Sequence, residues 1–180
     1  RNLYITSICS STSYNSLMVD SLIVFRGAGL GASFSSSPQG LIHLPILVGE
    51  GQSVAFSHDG SSGWFAGFVV ERQVEAVTAG ISANGAFPET AFIVPENKLF
   101  VLLNVYQSGG LIRCNGKQAL RGAINDFDPS AVDGCSPPCI AKALVNPIIL
   151  QEGDSLTTWT TDAILNGYFV EAGNSNPFRF

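Results

Sequence analysis

Pro45-Ile46-Leu47-Val48-Gly49-Glu50-Gly51 returns later in the chain as Pro147-Ile148-Ile149-Leu150-Gln151-Glu152-Gly153. Both stretches open with an apolar run and close on an acidic residue and a glycine. Both lead into alternating segments, Gln52-Ser53-Val54-Ala55-Phe56 and Ser155-Leu156-Thr157-Thr158-Trp159. Glycine supplies the positive φ of a tight turn without a steric penalty. Alternation with period two marks a strand with one buried face. The stretch reads as strand, turn, strand, written twice.

Three further blocks keep the same order. Leu3-Tyr4-Ile5-Thr6-Ser7-Ile8 matches Leu99-Phe100-Val101-Leu102-Leu103-Asn104, and Phe25-Arg26-Gly27 matches Leu120-Arg121-Gly122. Gly67-Phe68-Val69-Val70-Glu71 matches Gly167-Tyr168-Phe169-Val170-Glu171. The offsets run from about 95 to 102 positions. Four weak matches in one order define a tandem duplication. Residues 1–75 are the first repeat, 76–90 a linker or an additional strand, 91–173 the second repeat and 174–180 a C-terminal tail. A domain this small buries only about 60% of its unfolded surface. Packing of the copies on each other, or on neighbouring subunits, is therefore expected to matter.

The remaining signals are β throughout. In the first repeat Leu3–Ile8, Leu17–Phe25, Leu41–Val48, Ser53–Phe56 and Trp64–Val70 are short runs rich in β-branched and aromatic residues. The second repeat has Ala91–Val94, Lys98–Tyr106, Gly110–Cys114, Gln118–Leu120, Lys142–Leu150, Ser155–Thr160 and Ile164–Val170. Gly, Ser, Asn and Pro clusters separate them as turns. Asn115-Gly116 predicts a type I′ hairpin. No stretch carries helical periodicity beyond two turns. Many short, evenly spaced strands predict an all-β chain of two tandem β-sandwich or jelly-roll-like domains.

Charged residues make up 13% of the chain, against roughly 25% in an ordinary soluble protein, and hydrophobic residues 46%. The surface must then consist largely of Ser, Thr, Asn, Gly and apolar atoms, which suits a subunit held in an assembly. The net charge is −5 and the nine Lys and Arg are scattered singly, which argues against nucleic acid as a partner. No apolar run approaches the roughly 20 residues of a membrane-spanning helix. The first residues lack a signal peptide's charged start and apolar core, so any such peptide has been removed.

The second repeat is introduced by Phe92-Ile93-Val94-Pro95-Glu96-Asn97-Lys98, whereas the first begins at Arg1-Asn2, the counterpart of Asn97-Lys98. The lead-in strand of copy two therefore has no counterpart in copy one. Either the chain was processed or its true beginning is not represented. Copy one is expected to have an open sheet edge near Arg1, which invites a strand from another molecule.

Val-Pro-Glu-Asn-Lys-Leu-Phe-Val at Val94–Val101, with Asn115-Gly116, Pro147–Asp154 and Asn166-Gly167-Tyr168-Phe169-Val170, resembles small β-sandwich modules. Such modules occur in secreted bacterial surface proteins and in phage tail and virion proteins. The resemblance covers nearly all of copy two and most of copy one. It implies the fold and an extracellular setting, and it carries no catalytic residue over.

Four cysteines and a single Met point to an oxidising compartment. Cys135-Ser136-Pro137-Pro138-Cys139 has the spacing of a small disulfide ring. Cys9 and Cys114 then either pair across the copies or stay as buried thiols; four cysteines allow three connectivities. No further Cys or His stands at zinc-site spacing.

His43, inside Leu41-Ile42-His43-Leu44-Pro45-Ile46, reads as a hydrogen-bonded structural histidine, and His58, ahead of Asp59-Gly60, as a solvated turn residue. Adjacent His58 and Asp59 do not suit a Ser-His-Asp triad, and no Gly-x-Ser-x-Gly elbow is present. Glu50 and Glu152 read as acceptors for turn amides rather than as a glycosidase pair. No catalytic residue is assigned.

Asp126, Asp128 and Asp133 gather in a loop found only in copy two. Calcium is the cofactor such oxygens would suit, although the spacing is not that of an EF-hand and an ordinary acidic loop is the simpler reading. Trp159 and Trp64, with Tyr14 and Tyr106, are candidates for a glycan- or protein-contact surface. Alternation sets Trp159 on the face opposite Leu156 and Thr158; a tryptophan packed between the copies is the plainer alternative. Phe178 and Phe180, in the tail, dock either on a neighbouring subunit or on their own domain.

These readings lead to a non-enzymatic, secreted structural subunit of a cell surface or a virion. It would assemble with copies of itself or with other structural subunits through apolar contacts and β-edge pairing. The alternative is a glycan- or receptor-binding adhesin or phage module using Trp159, Trp64 and the loop around Asp126.

Overall fold

The computed structural model describes residues 1–10, 16–26, 45–57, 63–71, 74–82, 91–107, 111–121, 147–159 and 162–173. They contain no helix. In chain order the strands are β1 (Asn2–Ser10), β2 (Ser16–Val19), β3 (Leu22–Arg26), β4 (Ile46–Val48), β5 (Val54–Phe56), β6 (Gly63–Val70) and β7 (Glu75–Ile81). They continue as β8 (Phe92–Ile93), β9 (Lys98–Gln107), β10 (Leu111–Cys114), β11 (Lys117–Arg121), β12 (Ile148–Leu150), β13 (Ser155–Trp159) and β14 (Ala163–Glu171).

Every pairing is antiparallel, and the strands form four sheets: β4-β1-β6, β3-β2-β5, β12-β9-β14-β7 and β11-β10-β13-β8. β9 to β14 follow the order that β1 to β6 follow. The C-terminal strands add one outer member to each sheet, β7 beside β14 and β8 beside β13.

The ladders match in detail. β1 carries a bulge between Ile5 and Ser7, and β9 skips Leu103 opposite Asn166 and Gly167. A bulge adds a residue and shifts the alternation by one. Ile8 therefore joins Ile5 in one buried cluster, and Val105 joins Phe100 and Leu102 in another. Leu3 faces Val69 as Phe100 faces Phe169. Leu3 and Phe100 thus hold matching places in their ladders, one residue off the pairing of Leu3 with Leu99 that the sequence pattern suggests, because bare patterns do not locate a bulge.

The run Leu17–Phe25 is two strands, not one. Asp20 (φ 49°) and Ser21 (φ 69°) turn between them as Asn115 (φ 50°) and Gly116 (φ 75°) turn between β10 and β11. Positive φ at both central positions is the type I′ hairpin turn. Gly51 and Gly153 take φ 86° and 78° in the turns after β4 and β12.

Three apolar clusters hold the sheets. One draws on β1 to β4, with Ile5, Leu17, Phe25 and Ile46 fully covered. A second joins β7, β9, β10 and β12 to β14 around Phe100, Leu102, Ile112 and Leu165. The third lies at a seam between N- and C-terminal strands: Leu47 and Val74 meet Val101, Leu103, Tyr168 and Val170.

β7 occupies the first part of the stretch read as linker or strand, and it hydrogen-bonds to β14 over seven residue pairs. The open edge is displaced from its expected place. β1, beginning beside Arg1, is central in its sheet; among the described residues β6 has no strand where β14 has β7, and β5 has none where β13 has the lead-in strand β8. Leu41–Leu44 and Lys142–Asn146, read as strand, lie outside the described residues.

Candidate functional site

The seam is built from side chains that point away from the two larger clusters. β14 alternates, so Ala163, Leu165 and Phe169 face one way while Asn166, Tyr168 and Val170 face the other. Asn166 lies in an otherwise apolar strand and is completely covered. Its Oδ1 accepts a hydrogen bond from the Leu47 amide at 2.9 Å, and its Nδ2 donates to the Leu47 carbonyl at 2.8 Å and to Thr78 Oγ1 at 2.9 Å. One amide thus satisfies both backbone groups on the outer edge of β4. Asn104 Nδ2 donates to the Val24 carbonyl at 3.0 Å, and Asn2 Nδ2 to the Val74 carbonyl at 3.0 Å. Burial pushes the Tyr168 phenol up to about 12, with the neighbouring Tyr4 adding to the shift, and burial also raises Tyr4.

β6 presents the opposite condition. Its counterpart β14 is covered on both faces, whereas Trp64, Phe65, Phe68 and Val69 of β6 are all exposed, Phe68 at 53% and Val69 at 61%. Phe68 stacks on Tyr4 with ring centroids 5.2 Å apart. On the face of β6 that corresponds to the Leu165–Phe169 face of β14 stand Phe65 and Val69; on the other stand Trp64 and Phe68. No strand covers its outer edge among the described residues. An edge strand with both faces apolar and open is a template for association.

The remaining candidates are dispersed. Trp159 points away from Leu156 and Thr158, as alternation requires, and the Arg113 guanidinium sits 4.4 Å over its ring. Trp64 and Trp159 belong to different sheets. Tyr106 is half-buried in β9 opposite Ile164. Glu152 Oε2 accepts from the Asn97 amide at 2.9 Å, and Glu50 Oε2 from the amino group of Arg1 at 2.9 Å.

The pairing of Cys114 with Cys9 is not made. Cys114 is a free, half-buried thiol in β10, its pKa raised by burial and by Asp154, and the backbone of Cys9 lies in β1 opposite Trp64 in another sheet. Cys135, Cys139, Asp126, Asp128, Asp133, His43, His58, Tyr14, Phe178 and Phe180 lie outside the described residues. Among the described residues, no three His, Cys, Asp or Glu side chains are grouped to hold a metal, and no helix is long and apolar enough to cross a membrane.

Asn2, Asn104 and Asn166 were not singled out from sequence. The available signal was a lone amide inside each of the apolar runs Leu99–Val105 and Ala163–Val170. No family model, curated protein or solved structure matches the chain.

Proposed function

We propose that this protein is a non-enzymatic, extracellular structural subunit made of two tandem jelly-roll-like domains that arose by duplication, and that it assembles through apolar faces and β-edges. The duplication is supported by the equal strand orders and the matching bulges. The jelly roll is supported by β7 to β14: eight strands in two sheets, with every connection but the β10–β11 hairpin crossing from one to the other.

The observation that carries assembly is the state of β6. It lacks the outer strand that covers β14, and it exposes Trp64, Phe65, Phe68 and Val69 to water. Covering a side chain of that size gains about 1.5–3 kcal/mol. A charge-poor chain has few groups with which to keep such a face soluble. The glycan-binding alternative is less supported, because Arg113 already covers one side of Trp159 and Trp64 stands in another sheet.

Sedimentation velocity of the intact chain from micromolar to millimolar concentration tests the proposal. Growth of species larger than the monomer is expected, suppressed by Phe68→Lys. A chain that stays monomeric throughout would overturn it.

A further inference from the structure

The exposed β6 face has a fitting partner elsewhere in the same molecule. Leu47 pairs with Tyr4 in the middle of β4, and Ile149 pairs with Val101 in the middle of β12. The two residues hold corresponding places, yet Leu47 is fully buried and Ile149 is 39% exposed. The receiving side is equally divided. Phe68 pairs with Tyr4 as Tyr168 pairs with Val101; Tyr168 is covered by the seam and Phe68 is open. Inside the chain, β4 seats its Leu47 on the Tyr168 face of β14. Among the described residues, that leaves β12 with Ile149 as an unused donor and β6 with Phe68 as an unused receiver.

We infer that β12 of one chain seats on the β6 face of a second copy, head to tail, with Ile149 against the Tyr4–Phe68 stack. The contact repeats between chains the seam already made within each chain. It rests on the assembly reading above and specifies its geometry. One difference sets its strength. Ala66 pairs with Ser7 where Asn166 pairs with Asn104, so the new contact lacks the buried amides and relies on apolar burial alone. It is therefore weaker than the seam and concentration-dependent. A heterologous contact leaves a free donor at one end and a free receiver at the other, so copies add into a ring or a filament.

Complementation tests this with full-length chains. Ile149→Asp spoils every donor and Phe68→Asp every receiver, so each variant alone should stay monomeric. Mixed in equal amounts they retain one intact donor and one intact receiver, and a one-to-one dimer that grows no further is expected. Circular dichroism matching the parent chain verifies that both fold. Ile149→Cys mixed with Phe68→Cys should also give an inter-chain disulfide joining positions 149 and 68, absent from the unsubstituted chain under the same oxidant. If the parent chain assembles but Ile149→Asp assembles equally well, or Phe68→Cys cross-links only to itself, the head-to-tail geometry is wrong and assembly stands. If the parent chain does not assemble, both fall.

Discussion

Asn166 concentrates the chemistry of the seam in one side chain. It meets the amide and carbonyl of Leu47 in covered surroundings and the hydroxyl of the half-buried Thr78. A buried backbone group left without a partner costs about 1–3 kcal/mol. Asn166→Ala orphans two such groups and should lower the unfolding free energy by about 2–4 kcal/mol in a urea titration. Asn166→Asp should be worse than Ala: it keeps the acceptor for Leu47 N, sets a carboxylate against the Leu47 carbonyl and buries a charge. A markedly smaller loss for Asp than for Ala would argue that volume, rather than the hydrogen bonds, holds the seam. The importance of Asn166 could be suspected from a lone amide in an apolar strand. Its partner could not, because Leu47 lies 119 residues away and no local pattern connects them.

The hairpins show how much of each element local sequence encodes. Asn115-Gly116 is a strong turn signal and Asp20-Ser21 a weak one, yet the two turns are closed by the same network. Asp20 Oδ1 accepts from the Ser53 amide at 2.8 Å as Asn115 Oδ1 accepts from the Ser155 amide at 2.9 Å. Gln52 donates to Asp20 in one, and Asn115 donates to Asp154 in the other. A residue pair that disfavours positive φ is here held by Gln52 and Ser53 from the turn between β4 and β5, which explains why periodicity merged β2 and β3. The backbone and side-chain donors of Ser53 and Gln52 hold the Asp20 carboxyl below its usual range, and those of Asn115 and Gln151 do the same for Asp154. Lowered folded values mean stability that is present above the ordinary carboxylate pKa of about 3.9 and lost as pH falls below it. Asp20→Asn keeps the acceptor for Ser53 and should flatten the acid limb of melting temperature against pH, whereas Asp20→Ala should also lower the plateau at neutral pH. Bulges were equally illegible, since each depends on its partner strand. The glycines beside them are testable: a Cβ at Gly67 would strike the Tyr4 carbonyl and one at Gly167 the Val101 carbonyl. Gly167→Ala, between two neighbours in β14, should cost about 1–3 kcal/mol, and Gly67→Ala less, because the edge strand β6 can give way.

At the scale of the whole molecule the two sets of strands are joined by a seam that excludes water, and their stabilities should be coupled. The sequence made the β character and the repeated order readable, since strands and turns are local. It did not reveal that β7 completes the C-terminal sheet or that β4 docks on it, because both depend on contacts between distant segments. The coupling has a pH signature. Tyr168 is covered at the seam and its phenol is pushed up to about 12, whereas in the unfolded chain it titrates near about 10. The fold therefore favours the neutral phenol. Its contribution is complete below about pH 10 and is lost as pH rises from there through about 12. Lys98, raised by its hydrogen bond to Glu171 and by Glu75, adds a loss in the same direction, so alkaline destabilisation alone does not identify the tyrosine. Tyr168→Phe does. It keeps the ring, reproduces the residue that Phe68 supplies in β6 and removes the ionisable group. Urea midpoints measured from pH 8 to pH 12 (roughly the span that brackets both tyrosine values) should fall steeply in the parent chain and more gently in Tyr168→Phe. At neutral pH the variant should lie within about 1.5 kcal/mol of the parent. Because the seam binds both sets of strands, the parent chain should unfold in one transition at neutral pH. Near the alkaline end, ionisation of Tyr168 should divide it into two, and the division should vanish in Tyr168→Phe. Identical alkaline profiles for the two chains would mean that the seam opens before Tyr168 titrates and that the two sets of strands unfold independently.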